Sequence, residues 1–266
     1  MPSPVKTSRG IQSVEVGGRL LLALVAHGAA MSLSAIAEAA GMPPSKAHPY
    51  LVSFGKLGLT ERDPVTGNYG LGPLALHMGL ISLQGLDPVR IAMPKLVELA
   101  AATGQTVALA TWGSHGPTIV YILESSRPIH VNMRTGTVMS MLGTATGQVF
   151  AAHLPRAVVE ARLAREAGDP DTVAADDGKG WPARLDEVIA EVRQRGLARV
   201  QGAPIPGVSA FSAPVFDHHK NLRLAITVLG PSGSFDAAWR GSVATRLRAC
   251  ADAVSYRLGA GDAAPA

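Results

Sequence analysis

The chain of 266 residues has a single cysteine, Cys250. One thiol excludes a disulfide framework within the chain and suits a reducing compartment. Long apolar runs are missing too. In the N-terminal part the longest is Leu20–Ala26, far short of the ~20 residues that cross a bilayer. The opening MPSPVKTSRG is polar and basic with no apolar core behind it, which does not read as a secretory signal. These absences lead to the expectation of a cytoplasmic protein that does not enter a membrane. Catalytic signatures are also lacking. There is no G-x-S-x-G, P-loop, H-E-x-x-H or C-x-x-C. Gly178-Lys179-Gly180 has no Gly-rich loop before it, and Gly230-Pro231-Ser232-Gly233 has no lysine. No catalytic residue, cofactor or metal is therefore expected. His218-His219 is read as a solvated turn, because adjacent residues of a hairpin point to opposite faces and one ion would not reach both. Charge is sparse. The net charge is +4, and residues 1–77 hold six basic and four acidic side chains. No basic stripe stands out, so charge alone does not suggest a polyanionic partner.

What is present is concentrated in residues 31–72. Ser32 is a good helix N-cap, and Ile36 and Ala40 lie on one face of the short helix that follows. Gly41 stands just past its end, where a left-handed residue is favoured. Pro43 or Pro44 opens the next helix, since a first-turn residue needs no amide partner. Ala47, Leu51, Phe54 and Leu57 form its apolar stripe, and Gly58 stops it. Leu59–Arg62 and Asn68–Leu71 read as strands flanking Asp-Pro-Val-Thr-Gly, with Gly67 at the left-handed position of the turn. Helix, turn, helix and hairpin in this order describe a winged helix-turn-helix, which sets one helix end into a DNA major groove.

Around it, Ser13–His27 reads as a helix carrying Gly17 and Gly18, each costing about 1 kcal/mol relative to Ala. Leu71–Leu83 reads as an apolar connecting helix that buries one face on a second copy of the chain. A second domain starts near Asp87. Helices are predicted at Pro88–Ala102, Thr144–Leu154, Pro155–Ala167, Leu185–Arg195 and Ala237–Leu258. Strands are predicted at Thr106–Trp112, Thr118–Leu123, His130–Met133, Leu197–Val200, Ser209–Pro214 and Leu222–Leu229. Gly168–Gly180 reads as a loop. The fold class is α+β with a largely antiparallel sheet. The expected division is 1–72 for the winged helix, 73–86 for the connecting helix, 87–260 for the second domain and 261–266 for a disordered tail.

The chain resembles the IclR-type bacterial transcriptional regulators over nearly its whole length. The resemblance is carried by Gln12-Ser13-Val14-Glu15, Ile36-Ala37-Glu38-Ala39-Ala40-Gly41, Ser45-Lys46-Ala47-His48, Leu57-Gly58-Leu59 and Arg62 to Tyr69. Further along it is carried by Gly136, Gly143 to Gly147, Val192-Arg193, Gly196-Leu197-Ala198 and Ala213-Pro214-Val215. It implies a GAF-like effector-binding domain behind the winged helix, homodimers or homotetramers, double-stranded operator DNA as partner, and control of catabolic operons. Two departures stand out. Pro49 occupies a place where the family usually has Arg, so a kink or a late start of the second motif helix is expected, at up to ~3 kcal/mol. Val200 and Ala203 stand where acidic residues are frequent, and Ala210 where Cys is. Thr227 and Leu229 stand where small hydroxyls are common.

The candidate DNA contacts are Ser32, Ser34, Pro44, Ser45, Lys46, His48, Tyr50, Arg62 and Asn68, from helix starts and the hairpin tip. For Tyr50 the alternative is inward packing, and for His48 an ordinary surface position. The candidate effector residues are Met133, Met141, Leu142, Gly143, Thr144, Ala145, Thr146, Gly147, Val200, Ala210, Thr227 and Leu229, with Met139 as a further apolar wall. Amides at the helix start near Thr144 suit a carboxylate. The apolar substitutions point to an aromatic or branched organic acid rather than a small keto acid. The competing functional class is a winged-helix interaction module, or a small-molecule-binding protein with weak or no DNA binding.

Overall fold

The computed structural model describes residues 10–125, 133–167, 180–202 and 205–261. Contacts divide the chain into two compact units, Met1–Leu86 and Asp87–Ala266. The strand expected at His130–Met133, the loop at Gly168–Gly180 and the tail from 261 lie wholly or largely outside the described residues, as does Ala203.

In the first unit, α1 (Gln12–His27), α2 (Leu33–Ala39) and α3 (Pro44–Leu57) pack around Leu20, Leu24, Met31, Ile36, Ala37, Ala40, Ala47, Leu51 and Tyr69. Gly17 has a reason that periodicity does not show. A Cβ there would lie 2.9 Å from the rings of Tyr50 and Phe54, so its absence lets α3 approach α1. At Gly18 a Cβ would meet nothing. Strands β1 (Thr60–Arg62) and β2 (Tyr69–Leu71) pair antiparallel, and Met31 bridges Tyr69 to tie the hairpin to the chain ahead of α2. The late start expected from Pro49 does not occur. Helix α3 begins at Pro44 and runs unbroken past Pro49, whose ring is exposed. Leu57, placed on the buried stripe from its spacing, is instead 61% exposed at the last turn, because Gly58 redirects the chain there. Helix α4 (Pro73–Gln84) closes the unit and has no buried residue.

The second unit is a five-stranded antiparallel sheet in the order β4-β3-β7-β6-β5, with helices on both faces. Its strands are β3 (Thr106–Gly113), β4 (Gly116–Leu123), β5 (Ala198–Gln201), β6 (Val208–Phe216) and β7 (Leu222–Pro231). Helices α5 (Pro88–Thr103) and α9 (Ser242–Arg257) pack on one face. The opposite face, with Ala108, Ala110, Ala198, Ala225 and Leu229, packs against α6 (Ala145–His153), α7 (Arg156–Ala167) and α8 (Trp181–Arg195). The final helix starts five residues later than its apolar spacing suggested. The Asp236 carboxylate accepts from the amides of Ala238 (3.2 Å) and Ser242 (2.7 Å), stabilising a turn that competes with helix. His218 and His219 do not point apart. They sit in a turn rather than an extended strand, and their ring centroids are 4.0 Å from each other. No group of three or more metal-ligating side chains is found among the described residues. No described helix is long and apolar enough to cross a membrane.

Candidate nucleic-acid interface and ligand cavity

Helix α3 starts cleanly because Pro43 is extended and Pro44 takes the first turn, where a missing amide costs nothing. Its apolar side, Ala47 and Leu51, is buried in the three-helix core. That burial turns Ser45, Lys46 and His48 outward, and all three are exposed. Tyr50 takes the alternative role, half-buried with its ring against α1 at Gly17. Ser32 is exposed, and its hydroxyl accepts from the Ala35 amide at 3.3 Å, capping α2. Ser34 is exposed beside it.

The hairpin tip is built by its own side chains. Asp63 accepts from the amides of Val65 (2.7 Å) and Thr66 (3.1 Å). Those bonds, Thr66 first, hold its carboxyl below the usual range. Arg62 donates from Nε to the Gly67 carbonyl at 3.0 Å and lies over the Tyr69 ring at 5.6 Å. It is exposed but braces the hairpin, while Asn68 is half-buried behind the tip.

In the second unit a cavity of about 470 Å³, counting its mouth, lies between the sheet and the start of α6. It is lined by Met133, Met139, Thr144, Ala145, Thr146, Val200, Ile205, Val208, Ala210, Thr227 and Leu229. Strand register makes its floor. Val200 faces Ala210, which faces Leu229, across three strands. One step along, Ser212 faces Thr227. The floor is mostly apolar, and its hydroxyls are buried. The first-turn amides of Ala145 and Thr146 have no partner within the helix, as at any helix start.

Eight of the expected effector residues line this cavity: Met133, Thr144, Ala145, Thr146, Val200, Ala210, Thr227 and Leu229. Met141, Leu142, Gly143 and Gly147 do not, because the first three build the turn that leads into α6 and Gly147, inside α6, packs on that turn. Both oxygens of buried Glu166 accept from the Met141 amide, at 3.2 and 3.1 Å. The Gly143 amide donates to Ser140 Oγ at 3.1 Å, and the Leu142 carbonyl accepts from Gln148 at 3.0 Å. At Gly147 a Cβ would overlap the Ser140 carbonyl oxygen and lie 2.7 Å from Met141 Cα, so this glycine serves close packing. Val208 was missed, although it sits two residues before Ala210 and so shares its face. Ile205 has no periodic signal around it.

Buried Cys250 is no nucleophile. Burial pushes its thiol up to about 12, and the thiol donates to the Lys95 carbonyl at 3.6 Å.

Comparison with known proteins decides the family. A profile described as "Bacterial transcriptional regulator IclR C-terminal" matches residues 81–256, and "IclR helix-turn-helix domain" matches residues 13–64. The chain belongs to the IclR family. It is a DNA-binding transcriptional regulator and not an enzyme, as the family's members are. The Glycerol operon regulatory protein of Streptomyces griseus is 30% identical over 262 residues, covering 96% of this chain and 99% of that one. The HTH-type transcriptional regulator BhcR of Paracoccus denitrificans is 29% identical over 239 residues, covering 88% and 80%. Among solved structures, Pseudomonas aeruginosa HmgR superposes with a TM-score of 0.82 at 39% identity, covering 94% of this chain and 98% of that one.

Proposed function

We propose that this regulator controls a catabolic operon, grips operator DNA with the start of α3 and the hairpin, and releases or tightens that grip when an organic acid fills the cavity at α6. The observation that carries the DNA reading is the division of α3, with Ala47 and Leu51 buried and Ser45, Lys46 and His48 exposed on the side away from the core. Lys46 neutralises a phosphate, and Ser45 and His48 bond phosphate or base edges. The glycerol-operon relatives support an operon of catabolism as the target.

Effector chemistry follows from the cavity. A carboxylate suits the Ala145 and Thr146 amides and the positive end of α6, while Met133, Met139, Val208 and Leu229 suit an apolar body such as a ring or a branched chain. Two copies of the chain are joined by α4, whose Leu76, Met78, Leu80 and Ile81 are 64%, 57%, 47% and 71% exposed. A helix this apolar all round favours a protein partner over water. Paired winged helices then meet half-sites about one DNA turn, ~34 Å, apart. An effector shifts the equilibrium only by binding one arrangement of the pair better than the other.

The test is fluorescence anisotropy with the duplex upstream of the protein's own gene, across salt concentrations. Binding should weaken as salt rises, and Lys46→Ala should flatten the log–log slope by about 1 for each bound protomer, or about 2 for the pair. An unchanged slope and affinity in Lys46→Ala would remove Lys46 from the DNA contact, and a wild type that fails to bind the duplex at low salt would favour the interaction-module reading instead.

A further inference from the structure

The buried hydroxyls of the cavity form an ordered chain. Ser212 Oγ donates to the Ile226 carbonyl at 3.3 Å. Thr227 Oγ1 donates to Ser212 Oγ at 2.9 Å. Thr146 Oγ1 lies 2.7 Å from Thr227 Oγ1. These three side chains are 0%, 4% and 2% exposed. Each hydroxyl has one proton, and the chain ends on a carbonyl, which only accepts. The Ser212 proton goes to Ile226 and the Thr227 proton to Ser212, so the bond between the threonines uses the Thr146 proton. Thr144, the third hydroxyl of the lining, is committed as well. It donates to the Ser140 carbonyl at 2.8 Å while accepting the Gly147 amide at 3.0 Å.

From this count we infer that the cavity's threonines face a ligand as acceptors only, and that the effector is a hydroxylated acid. Its hydroxyl donates to Thr146, while its carboxylate takes the Ala145 and Thr146 amides. This deepens the reading of the cavity as the effector site and rests on it. A ligand that brings an ether or carbonyl oxygen to Thr146 meets lone pair against lone pair, unless the chain reverses and gives up the Ser212–Ile226 bond. A buried acceptor facing another acceptor is left unsatisfied. The hydroxyl therefore separates ligands of the same shape.

Calorimetric titration of the full chain tests this with benzoate, the three hydroxybenzoates, their methyl ethers and phenol. At least one hydroxybenzoate should bind about ten-fold or more tightly than both benzoate and its own methyl ether. Thr146→Val, nearly isosteric, should erase that advantage, so that the hydroxybenzoate and benzoate bind the variant alike. Thr227→Val removes the acceptor of the Thr146 proton, frees that proton for the cavity, and should raise the affinity of the ether relative to the phenol. Equal or tighter binding of the ether in the wild type overturns the inference, as does failure of every phenol to bind. If phenol alone binds as tightly as the hydroxybenzoates, the carboxylate reading falls while the proton order stands. Undiminished binding after Ala210→Trp, which fills the floor, removes the cavity reading and the inference with it. NMR gives a readout without ligand. The Thr146 hydroxyl proton should show cross-peaks to Thr227, and cross-peaks to the Ala210 methyl instead would overturn the order.

Discussion

Adding one methyl group at Gly147 should displace the turn that leads into α6 at the cavity. The new Cβ would overlap the Ser140 carbonyl oxygen and sit 2.7 Å from both Met141 Cα and the Met141 carbonyl oxygen. All three are backbone atoms, so no side-chain rotation relieves the clash. The turn must move, and it is tied by Met141 to Glu166, by Gly143 to Ser140 and by Thr144 to Ser140. Overpacking of this kind costs ~1–3 kcal/mol, and each bond lengthened or lost adds about 1 kcal/mol. Ala gains up to ~1 kcal/mol over Gly in helix propensity. Gly147→Ala should therefore destabilise the second unit by roughly 3 kcal/mol. All three tryptophans, Trp112, Trp181 and Trp239, lie in that unit, and Trp112 packs at 5.8 Å from Phe150 of α6. Urea unfolding followed by tryptophan fluorescence thus reads this unit alone. Gly18→Ala is the control. It meets nothing within 4 Å, and it should leave the tryptophan transition where it is and raise helix stability by up to ~1 kcal/mol in circular dichroism. A Gly147→Ala transition within about 0.5 kcal/mol of the wild type would refute the packing role assigned to this glycine.

Leu80→Lys should split the dimer proposed for α4 and weaken DNA binding together, and sedimentation of an intact dimer would contradict the role proposed for that helix. Burial, and then the nearby Arg193, hold the pKa of His153 below its ordinary 6.5, and its buried Nε2 has no hydrogen-bond partner among the described residues. The unfolded chain then binds a proton that the folded chain refuses. Stability contributed by the neutral ring is full above about pH 6.5 and is lost as pH falls toward the depressed folded value. His153→Phe keeps the edge contact with Phe216, now at 5.0 Å, and should reduce the drop in urea midpoint between about pH 7.5 and pH 5.5. An identical drop in both proteins would assign the acid sensitivity elsewhere. Asp63→Ala should loosen the hairpin by removing its two amide bonds, seen as faster amide exchange at Val65 and Thr66, and unchanged exchange there would contradict that bracing.

Much of this molecule is legible from local pattern. Ser32, Gly41, Pro44 and Gly58 punctuate the winged helix because caps and left-handed turns depend on near neighbours in the chain. The cavity floor is also readable, since alternate residues of a strand share a face and Val200, Ala210 and Leu229 follow from that. What local pattern misses is long-range or ambiguous. Gly143 and Gly147 read the same whether a helix start cradles a ligand or packs on a turn, and only the position of Ser140 decides. Glu166 reaches Met141 across 25 residues, and Thr146 reaches Thr227 across 81. The smooth passage of α3 over Pro49 is a tertiary effect, with Ala47 and Leu51 anchored in the core on either side of it.

Hydrogen–deuterium exchange of the full chain, with and without its upstream duplex, tests most directly that α3 is the element that enters DNA. Protection is expected to concentrate in peptides covering residues 44–50 and 62–68, with salt removing it at both together. Protection elsewhere, with 44–50 exchanging as in the free protein, would contradict the assignment of this face to DNA.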